Sequence, residues 1–482
     1  MKEKILKFLP WFVLILLIVA VSLYFFLGKR VTEGERSLYD EKIKQAELNF
    51  NGREYSEAIN QYYEASSLIP QEFTAYKGIV DILLLKNRAD EALSIVREST
   101  RAISSNERSV LYDLIGDYYY DLADFKKAKE MYQEGLGLGV ENLEAEFALG
   151  KALINIDRID EGLKQIEKNK YEGDITVEAN LLLSYLYALT DIEKAKTQIG
   201  SITPSGKWTP FYDEFDNLLN SLDDDKKYNA VKLSRVYLNS GYPFLSLNIL
   251  KTVEMDIAQY LEGEYFMGIS YLRVGQYDKA IEYFDKALSL GGMETEILWG
   301  KARASYLKND LEGAINMYSR AVEYGGKDIS ENLVDEYLSL LLENNQNLKA
   351  ADTIKSLTTN QEKPYIYLWG VEVNYMLGER AKVDYYIEQL GKLELSENQQ
   401  KEYLYWRARL AVEDSDTTGA SVLLDQLLAK DRYNPKYYLV QGMLKVKESD
   451  IEGAKSSFER GIEYDLSNVI SQEASKLLSN LK

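Results

Sequence analysis

Small and large apolar residues alternate along most of the chain with the spacing of an α-helix. After residue 44, a small residue is followed four positions later by an aromatic or aliphatic one, and three positions later by another small one. That spacing places all three on one helix face, as for Ala280, Phe284 and Ala287, so each copy predicts a helix. The other clear copies are Ala58, Tyr62 and Ala65; Ala128, Tyr132 and Gly135; Ala314, Tyr318 and Ala321; and Ala454, Phe458 and Gly461.

A second helical pattern precedes each of these segments. It reads aromatic or aliphatic, then small, then aromatic or aliphatic, as in Met267, Gly268 and Tyr271. A short turn with Gly, Asn or Asp separates the two patterns, so each pair predicts a helical hairpin. Equivalent small residues recur most often every 34 residues, with one longer step of 51 residues from Ala195 to Ser246. The series is Ala58, Ala92, Ala128, Gly162, Ala195, Ser246, Ala280, Ala314, Ala351, Val383, Ala420 and Ala454.

The segment Tyr265–Leu290 resembles the tetratricopeptide repeat (TPR) family. The resemblance covers most of residues 38–468 and is weakest around Ala195, Ser246 and Val383, where only the period and the helical pattern remain. It implies an all-α fold, a right-handed α-solenoid of about twelve TPR-like helical hairpins in which each hairpin buries its apolar face against its neighbours. The residues at motif positions are Gly268, Tyr271, Gly275, Tyr277, Ala280, Phe284 and Ala287.

Two segments depart from the repeat. Pro204, Gly206 and Pro210 interrupt helix, and 211–222 predicts one extra helix, so we expect a kink or a subdomain boundary there. The end of the chain has apolar residues at helical spacing and predicts a capping helix. The predicted parts are a basic N-terminus (1–7), a transmembrane anchor (8–27), a linker (28–37), an N-terminal array (38–202), an irregular break (203–226), a C-terminal array (227–468) and the capping helix (469–482).

The predicted anchor is an almost unbroken apolar run, 8–27, that is long enough to span a bilayer as one helix. Trp11 and Tyr24 lie near its ends, where interfacial aromatic residues are favoured. The competing interpretation is a cleaved signal peptide, because Ala20 and Ser22 have the spacing of a cleavage site. The apolar run continues beyond these two residues, which favours an uncleaved, single-pass anchor.

Basic residues flank both sides of this run, so the positive-inside rule leaves its orientation open. A basic segment before the first apolar run resembles an export signal. A chain without cysteine also suits an oxidising setting, where stray thiols are a liability. We therefore predict a cytoplasmic N-terminus and a repeat array in the periplasm, and the reverse topology stays open.

The composition excludes several kinds of chemistry. The sequence has no Cys and no His, which rules out disulfides, thiol nucleophiles, zinc sites built on Cys and catalysis by His. A formal net charge of −20 without a basic cluster disfavours nucleic acid as a partner. The run Asp223–Asp225 fits a solvated helix N-terminus better than a metal site. No phosphate-binding loop is matched, so we expect no enzyme activity, no cofactor and no metal ion.

The first helices of TPR hairpins line a concave groove, and the resemblance implies such a groove in this chain. Tyrosine, tryptophan and arginine, the residues that dominate interface hot spots, recur at groove positions in the C-terminal half. Packing between adjacent helices explains about half of them equally well. The acidic surface favours a neutral or basic partner segment. The candidate residues are Tyr265, Arg273, Trp299, Arg303, Tyr306, Tyr365, Tyr375, Tyr405 and Arg409.

The anchor and the array together predict a non-enzymatic, membrane-anchored scaffold for protein–protein interaction. Its role would be to recruit or space subunits of an envelope-associated assembly, such as machinery for secretion, envelope biogenesis, or pilus or flagellar assembly. The alternatives are a cytoplasm-facing membrane adaptor for regulated proteolysis or lipid synthesis, and a glycan-binding or glycan-active envelope protein. Self-association into a homo-oligomer, and use of the convex face, also stay open.

Overall fold

The fold consists of α-helices joined by short turns. A computed structural model describes residues 31–171, 173–204 and 206–481, and within these ranges there are helices and short 3₁₀ turns but no strands. Twelve helical hairpins succeed one another in the described residues, which confirms the predicted all-α repeat architecture. The predicted transmembrane anchor, 8–27, lies outside the described residues. No helix within the described ranges is long and apolar enough to cross a membrane.

The described residues divide into two compact units between residues 111 and 112. The helices of the first unit are α1 (Glu33–Asn51), α2 (Tyr55–Leu68), α3 (Phe73–Leu85) and α4 (Ala89–Glu98), and α5 (Ser105–Asp121) runs across the division. The second unit continues with α6 (Phe125–Leu136), α7 (Leu143–Ile154), α8 (Ile159–Glu167), α9 (Asp174–Tyr187), α10 (Ile192–Ile199), α11 (Thr209–Asn220), α12 (Lys226–Asn239), α13 (Pro243–Lys251), α14 (Glu254–Ile257), α15 (Leu261–Arg273), α16 (Tyr277–Leu290), α17 (Glu294–Leu307), α18 (Leu311–Gly325), α19 (Glu331–Glu343), α20 (Asn347–Asn360), α21 (Pro364–Met376), α22 (Arg380–Leu390), α23 (Glu397–Glu413), α24 (Thr417–Lys430), α25 (Pro435–Lys447), α26 (Ile451–Tyr464) and α27 (Val469–Ser479).

Helix α1 begins at a reciprocal cap. The hydroxyl of Thr32 accepts the backbone N–H of Glu35 at 3.1 Å, and the carboxylate of Glu35 accepts the backbone N–H of Thr32 at 2.9 Å. Each bond satisfies a donor that the first turn of a helix leaves free, so α1 starts at Glu33. Behind this cap, Tyr39 and Ile69 are buried in the apolar core of the first hairpin.

Several hairpin turns of the second unit combine a left-handed residue with an aspartate cap. Asn309 has a φ of 68°, and the carboxylate of Asp310 accepts the backbone N–H of Gly313 at 3.0 Å. The same pair of features recurs at Ser415–Asp416 and Ser449–Asp450. The left-handed residue ends the first helix and the aspartate starts the second, so the chain reverses within a few residues.

Aromatic rings close the hairpins by packing on glycines. The ring of Phe284, on α16, lies between Gly268 of the same hairpin and Gly300 of the next, and a Cβ built on either glycine would come within 2.6 Å of it. Because the ring is packed on both sides, it could not shift away from a Cβ added at either position. Glycine at these two positions therefore lets the helices approach this closely. The same spacing of sixteen residues pairs Gly116 with Tyr132, Gly370 with Tyr386 and Gly442 with Phe458.

The irregular segment after α10 is packed into a continuous core. The ring of Phe215, on α11, lies 4.5 Å from that of Tyr185, and the hydroxyl of Tyr237 donates to the backbone carbonyl of Tyr185 at 3.0 Å. A kink or a subdomain boundary was expected within 203–226. The two compact units divide between residues 111 and 112, and the kink stays a prediction. The extra helix α11 joins the hairpins before and after it through these buried contacts, so the chain does not divide there.

Helix α27 covers the last hairpin, in the segment where a capping helix was predicted. Ala474 is buried against Phe458 and Leu439 of that hairpin. The carboxylate of Asp465, just before α27, accepts the backbone N–H groups of Ser467 at 3.0 Å and Ser471 at 2.7 Å. These bonds fix the turn that leads into the helix, so α27 is held both by its turn and by its apolar face.

Candidate protein-binding site

The second unit contains a cavity of about 1170 Å³, which we call the central cavity. Its wall combines elements that are distant in sequence: the turns before α6 and after α7, the start of α13, the end of α15, and the helices α17 and α19. Only part of each element reaches the cavity, so the site exists only in the folded array. Its wall includes Phe244, Arg273, Arg303, Tyr306 and Glu336.

A hydrogen-bonded cluster at the cavity, the Glu336 cluster, consists of Trp299, Arg303, Tyr318 and Glu336, of which the last three line the cavity. The Oε2 of Glu336 accepts the indole N–H of Trp299 at 2.7 Å, the hydroxyl of Tyr318 at 2.8 Å and the Nε–H of Arg303 at 2.9 Å. Nη2 of Arg303 bonds to the other oxygen, and the guanidinium lies 4.3 Å from the centre of the Trp299 ring. Three consecutive helices, α17 to α19, supply these groups, so the cluster ties two hairpins together.

Glu336 and Arg273 differ in how well their charges are compensated. Burial acts to raise the pKa of Glu336, but the hydrogen bonds from Arg303, Trp299 and Tyr318 hold that pKa below its usual value. Arg273 donates to the backbone carbonyl of Leu238 and has no carboxylate partner among the described residues. Desolvation and the nearby charge of Arg303 lower the pKa of Arg273. Its guanidinium therefore keeps donors available for a ligand.

A second cluster, the Arg409 cluster, consists of Tyr375, Tyr405, Arg409 and Glu473. Nη2 of Arg409 donates to Oε1 of Glu473 at 2.6 Å, Nε donates to the hydroxyl of Tyr375 at 3.1 Å, and Nη1 donates to that of Tyr405 at 3.0 Å. Glu473 belongs to α27, so the C-terminal helix contributes the carboxylate that pairs with this arginine. Arg409 and Tyr405 are buried in the packing of the array, whereas the side chain of Glu473 is 41% exposed.

Pairs of polar residues one period apart connect the first helices between the two clusters. Trp369 donates its indole N–H to Asp335 at 2.6 Å, and Lys436 donates to Glu402 at 3.0 Å. In both pairs the partners lie 34 residues apart. Equivalent positions of successive hairpins therefore face each other along the first helices.

Four of the nine sequence-predicted residues gather at the central cavity. Arg273, Arg303 and Tyr306 are part of its wall, and Trp299 joins them through its hydrogen bond to Glu336. Tyr306 is 42% exposed, which makes it the most accessible aromatic side chain of this group. Whether these residues bind a partner stays a prediction.

The other five predicted residues serve packing to a greater extent. Tyr365, Tyr405 and Arg409, expected to line an open groove, are only 8%, 4% and 7% exposed. They lie in the interior because neighbouring helices of the array pack against them, and Arg409 is in addition paired with Glu473 of α27. Burial raises the pKa of Tyr365 to about 12. Tyr375 is half-buried between Arg409 and Glu413, and Tyr265 packs half-buried with its ring 6.2 Å from that of Phe284.

Sequence reasoning missed the carboxylates of both clusters and the second tryptophan of the series. Glu336 and Glu473 were not predicted because the interface hot-spot criterion selects tyrosine, tryptophan and arginine. Trp369 meets that criterion and lies on the same helix as Tyr365 and Tyr375, but it was not included. The repeat offered a usable signal, since Arg303 and Glu336 lie 33 residues apart. A search for donors and carboxylates separated by about one period would have found that pair.

The described residues contain no group of three or more Asp or Glu side chains placed to hold a metal ion. In the acidic run, the carboxylate of Asp225 accepts the backbone N–H of Tyr228 at 3.1 Å and caps α12. Asp223 accepts the backbone N–H of Asp225 at 2.8 Å. These bonds are those of a helix N-terminus.

Two family models, both described as tetratricopeptide repeat, match parts of the chain. One matches residues 266–329, which contain the hairpins around Phe284 and Tyr318, and the other matches residues 110–138. The chain carries tetratricopeptide repeats. The first match overlaps Tyr265–Leu290, the segment in which the sequence resembled this family. No curated protein matches the chain.

Several solved structures are similar to this chain at low identity. The crystal structure of the APC/C hetero-tetramer Cut9-Hcn1 is 15% identical, with a TM-score of 0.35 and coverage of 96% of this chain and 92% of that chain. Yeast Tom70 is 14% identical, with a TM-score of 0.35 and coverage of 92% and 96%. The TPR2AB domain of yeast Sti1 in its pHSP90 complex is 15% identical, with a TM-score of 0.24 and coverage of 60% and 92%.

Proposed function

We propose that this protein is a non-enzymatic scaffold of TPR type that holds a segment of a protein partner in the central cavity. The observation that supports this most is the Glu336 cluster, which fixes Trp299 and Arg303 in defined positions beside a cavity of about 1170 Å³. Rigid aromatic and arginine side chains at a concave surface are the usual anchors of protein interfaces. Arg273 and Tyr306 add an uncompensated cation and an exposed ring to the same wall.

The charge of the cavity wall favours a neutral or basic segment. Five carboxylates and three cationic side chains line it, so negative charge is in excess. Phe244 and Tyr306 provide apolar area. A peptide with basic side chains that also offers a backbone carbonyl or carboxylate oxygen to Arg273 would match all three features.

Photo-crosslinking in living cells tests this proposal. A photoreactive amino acid replaces Tyr306, which lines the cavity and is 42% exposed, and mass spectrometry identifies the adducts. The matched control places the probe at Tyr324 in the same hairpin, which is 58% exposed and lies outside the cavity. We expect the probe at position 306 to form one dominant protein adduct. The probe at position 324 should not form that adduct.

An Arg273→Gln variant sharpens this experiment. Because Arg273 has no carboxylate partner among the described residues, its loss should leave the array folded but weaken the adduct from position 306. The same adduct from both probe positions, or none from position 306 while position 324 reacts, would contradict the cavity as the binding surface. The second result would point to the outer face or to self-assembly.

The membrane anchor and the location form the second half of the proposal. The apolar run 8–27 fixes the array to a membrane, and the array faces the periplasm, where it recruits or spaces subunits of an envelope-associated assembly. The support is the sequence pattern alone. Deletion of 8–27 should move the protein from the membrane fraction to the soluble fraction, and continued membrane association would overturn the anchor.

Topology separates this proposal from a cytoplasm-facing adaptor. The chain has no cysteine, so a Lys355→Cys variant carries one thiol, at an exposed position on α20. We expect a maleimide that cannot cross the inner membrane to label this cysteine in cells whose outer envelope has been permeabilised and whose inner membrane is intact. Labelling only after lysis, with a positive control for envelope permeability, would place the array in the cytoplasm.

A further inference from the structure

A second, smaller cavity of about 440 Å³ lies beside the short helix α14, and it shares no wall residue with the central cavity. We propose that this side pocket binds a primary ammonium group carried on an alkyl chain, either the side chain of a partner lysine or a free alkylamine. The residues that carry this inference are Glu254, Met255, Glu264, Tyr283 and Lys286, all of which line the pocket.

Glu264, on α15, lines the side pocket. It is only 5% exposed, and its Oε2 is buried without a hydrogen-bond partner among the described residues. Burial raises the pKa of Glu264, although the charge of Lys286 and the backbone N–H of Gln259 act in the opposite direction. A buried carboxylate oxygen without a donor is costly, and an ammonium group is the donor that would satisfy it best.

The charged neighbours of Glu264 are already engaged with other groups. The ammonium of Lys286 pairs with Glu282 at 2.8 Å and lies 4.1 Å from the centre of the Tyr283 ring. The hydroxyl of Tyr283 donates to Glu254. The pocket therefore has two carboxylates, Glu254 and Glu264, against one cation that is paired with a different carboxylate, which leaves an unmet preference for positive charge.

The rim of the side pocket suits the alkyl part of such a ligand. Met255 is 92% exposed, the most exposed of the large apolar side chains among the described residues. Its flexible thioether can lie along a methylene chain while the charged end reaches Glu264. The exposed Leu290 closes another side of the same pocket. Two carboxylates, Glu254 and Glu264, together with the apolar side chains of Met255 and Leu290, favour a lysine-like ligand over a metal ion or a compact inorganic cation.

Isothermal titration calorimetry on the full-length chain, with n-butylamine as the probe, tests this inference. We expect Glu264→Gln to weaken binding by at least about tenfold, because it removes the charge that the ammonium meets. The control is Glu312→Gln, which removes the same charge from an exposed position on α18 and should change the affinity by less than about twofold. Equal binding by all three proteins, or no binding by the unmodified chain, overturns the proposal.

A second variant keeps the test decisive if Glu264→Gln does not fold. Met255→Ala changes an exposed side chain, so the fold should survive, and it should weaken binding of n-butylamine more than binding of methylamine. If Met255→Ala leaves the affinity for n-butylamine unchanged, the pocket is not where the amine binds and the proposal fails. Lys286→Met should strengthen binding, because it removes a positive charge from the wall.

The source of the ammonium group is decided by a blocked peptide, acetyl-Gly-Lys-Gly-amide, and its counterpart with an acetylated lysine. Binding of the first peptide but not of the second identifies a partner lysine as the ligand. Binding of n-butylamine alone identifies a free amine. Because none of these readouts involves the central cavity, failure here leaves the proposed scaffold function standing, and failure of the crosslinking from position 306 leaves this inference standing.

Discussion

Arg303 and Arg409 occupy first helices three hairpins apart, and each pairs with a glutamate. The side chain of Arg303 is 43% exposed, whereas that of Arg409 is 9% exposed. Arg303 meets Glu336 from the next hairpin, on the wall of the central cavity. Arg409 meets Glu473 from α27 and is also bonded to two tyrosine hydroxyls.

Both first helices have a further hairpin packed against them, so the difference between these arginines comes from the groups that surround each side chain. Arg303 lies on the wall of the central cavity and meets one carboxylate. Arg409 lies among Tyr375, Tyr405 and Glu473, and α27, which packs on the last hairpin, reaches it through Glu473. An exposed ion pair contributes about 0–1 kcal/mol to stability. Loss of one partner of a fully buried pair costs roughly 3–5 kcal/mol, and the pair of Arg409 lies between these limits because the side chain of Glu473 is 41% exposed.

The largest expected effect is at the end of the array. Glu473→Ala removes the carboxylate that Arg409 meets, so either a buried cation is left without its counter-charge or α27 detaches. Because the side chain of Glu473 is 41% exposed, we expect local stability to fall by roughly 2 kcal/mol, less than for a fully buried pair, measured by hydrogen exchange of the amides in α25 to α27. Glu459→Ala, an exposed position on α26, is the control. Equal exchange in the two variants would mean that the ion pair does not hold the end.

The interiors of the hairpins should respond alike in the two regions, which isolates the role of α27. Ala280 and Ala454 are both fully buried, at equivalent positions of their hairpins. Leucine at either should overpack the hairpin and cost about 1–3 kcal/mol, measured as a lower thermal unfolding midpoint. A difference between Ala280→Leu and Ala454→Leu as large as either effect would show that the two hairpins are not equivalent inside.

Asp113 extends the comparison to a buried carboxyl group that has no cationic partner among the described residues. One oxygen of Asp113 accepts the side-chain N–H of Asn142 at 2.6 Å, the other has no partner among the described residues, and burial raises the pKa of Asp113 to about 7. The raised pKa favours folding below the unfolded-state pKa near 4, and that contribution is lost as the pH rises through 7. Asp113→Asn should therefore be more stable than the unmodified chain at pH 8, by roughly 2 kcal/mol, and similar to it at pH 4.

Urea unfolding at the two pH values measures this effect. The control is Asp352→Asn, which changes an exposed carboxylate on α20 and should shift the urea midpoint little at either pH. A gain in Asp113→Asn that is the same at pH 4 and pH 8 would contradict the assignment of the effect to ionisation of Asp113.

The smallest expected effect on stability is at the open wall. Arg303→Met keeps the apolar stem of the side chain and should cost less than about 1 kcal/mol in urea unfolding. It should nevertheless remove the partner adduct from a probe at Tyr306, because the guanidinium belongs to the proposed binding surface. A loss of stability as large as that of Glu473→Ala would break the distinction between the two arginines.

Local rules were enough to predict the hairpins, and they failed where packing chose between neighbouring residues. The series of small residues included Ala351, but the structure buries Ala350 completely and leaves Ala351 partly exposed. The backbone N–H of Ala350 donates to Gln346 at 3.0 Å, as that of Ala314 donates to Asp310 at 2.9 Å. Two adjacent alanines on a helix look alike in sequence, and only the facing helix decides which of them is buried.

The sequence by itself determined the all-α hairpin architecture, the period, the absence of cysteine and histidine chemistry, and the excess of acidic charge. These features depend on residue type and on spacing along one helix, which can be read without a partner. Tertiary structure alone decided which arginine side chains stay exposed and which carboxylates pair with them. It also decided that one oxygen of Glu264 lies in a side pocket without a hydrogen-bond donor. Those outcomes depend on which helix covers a given face, and that helix lies a full period or more away in the chain.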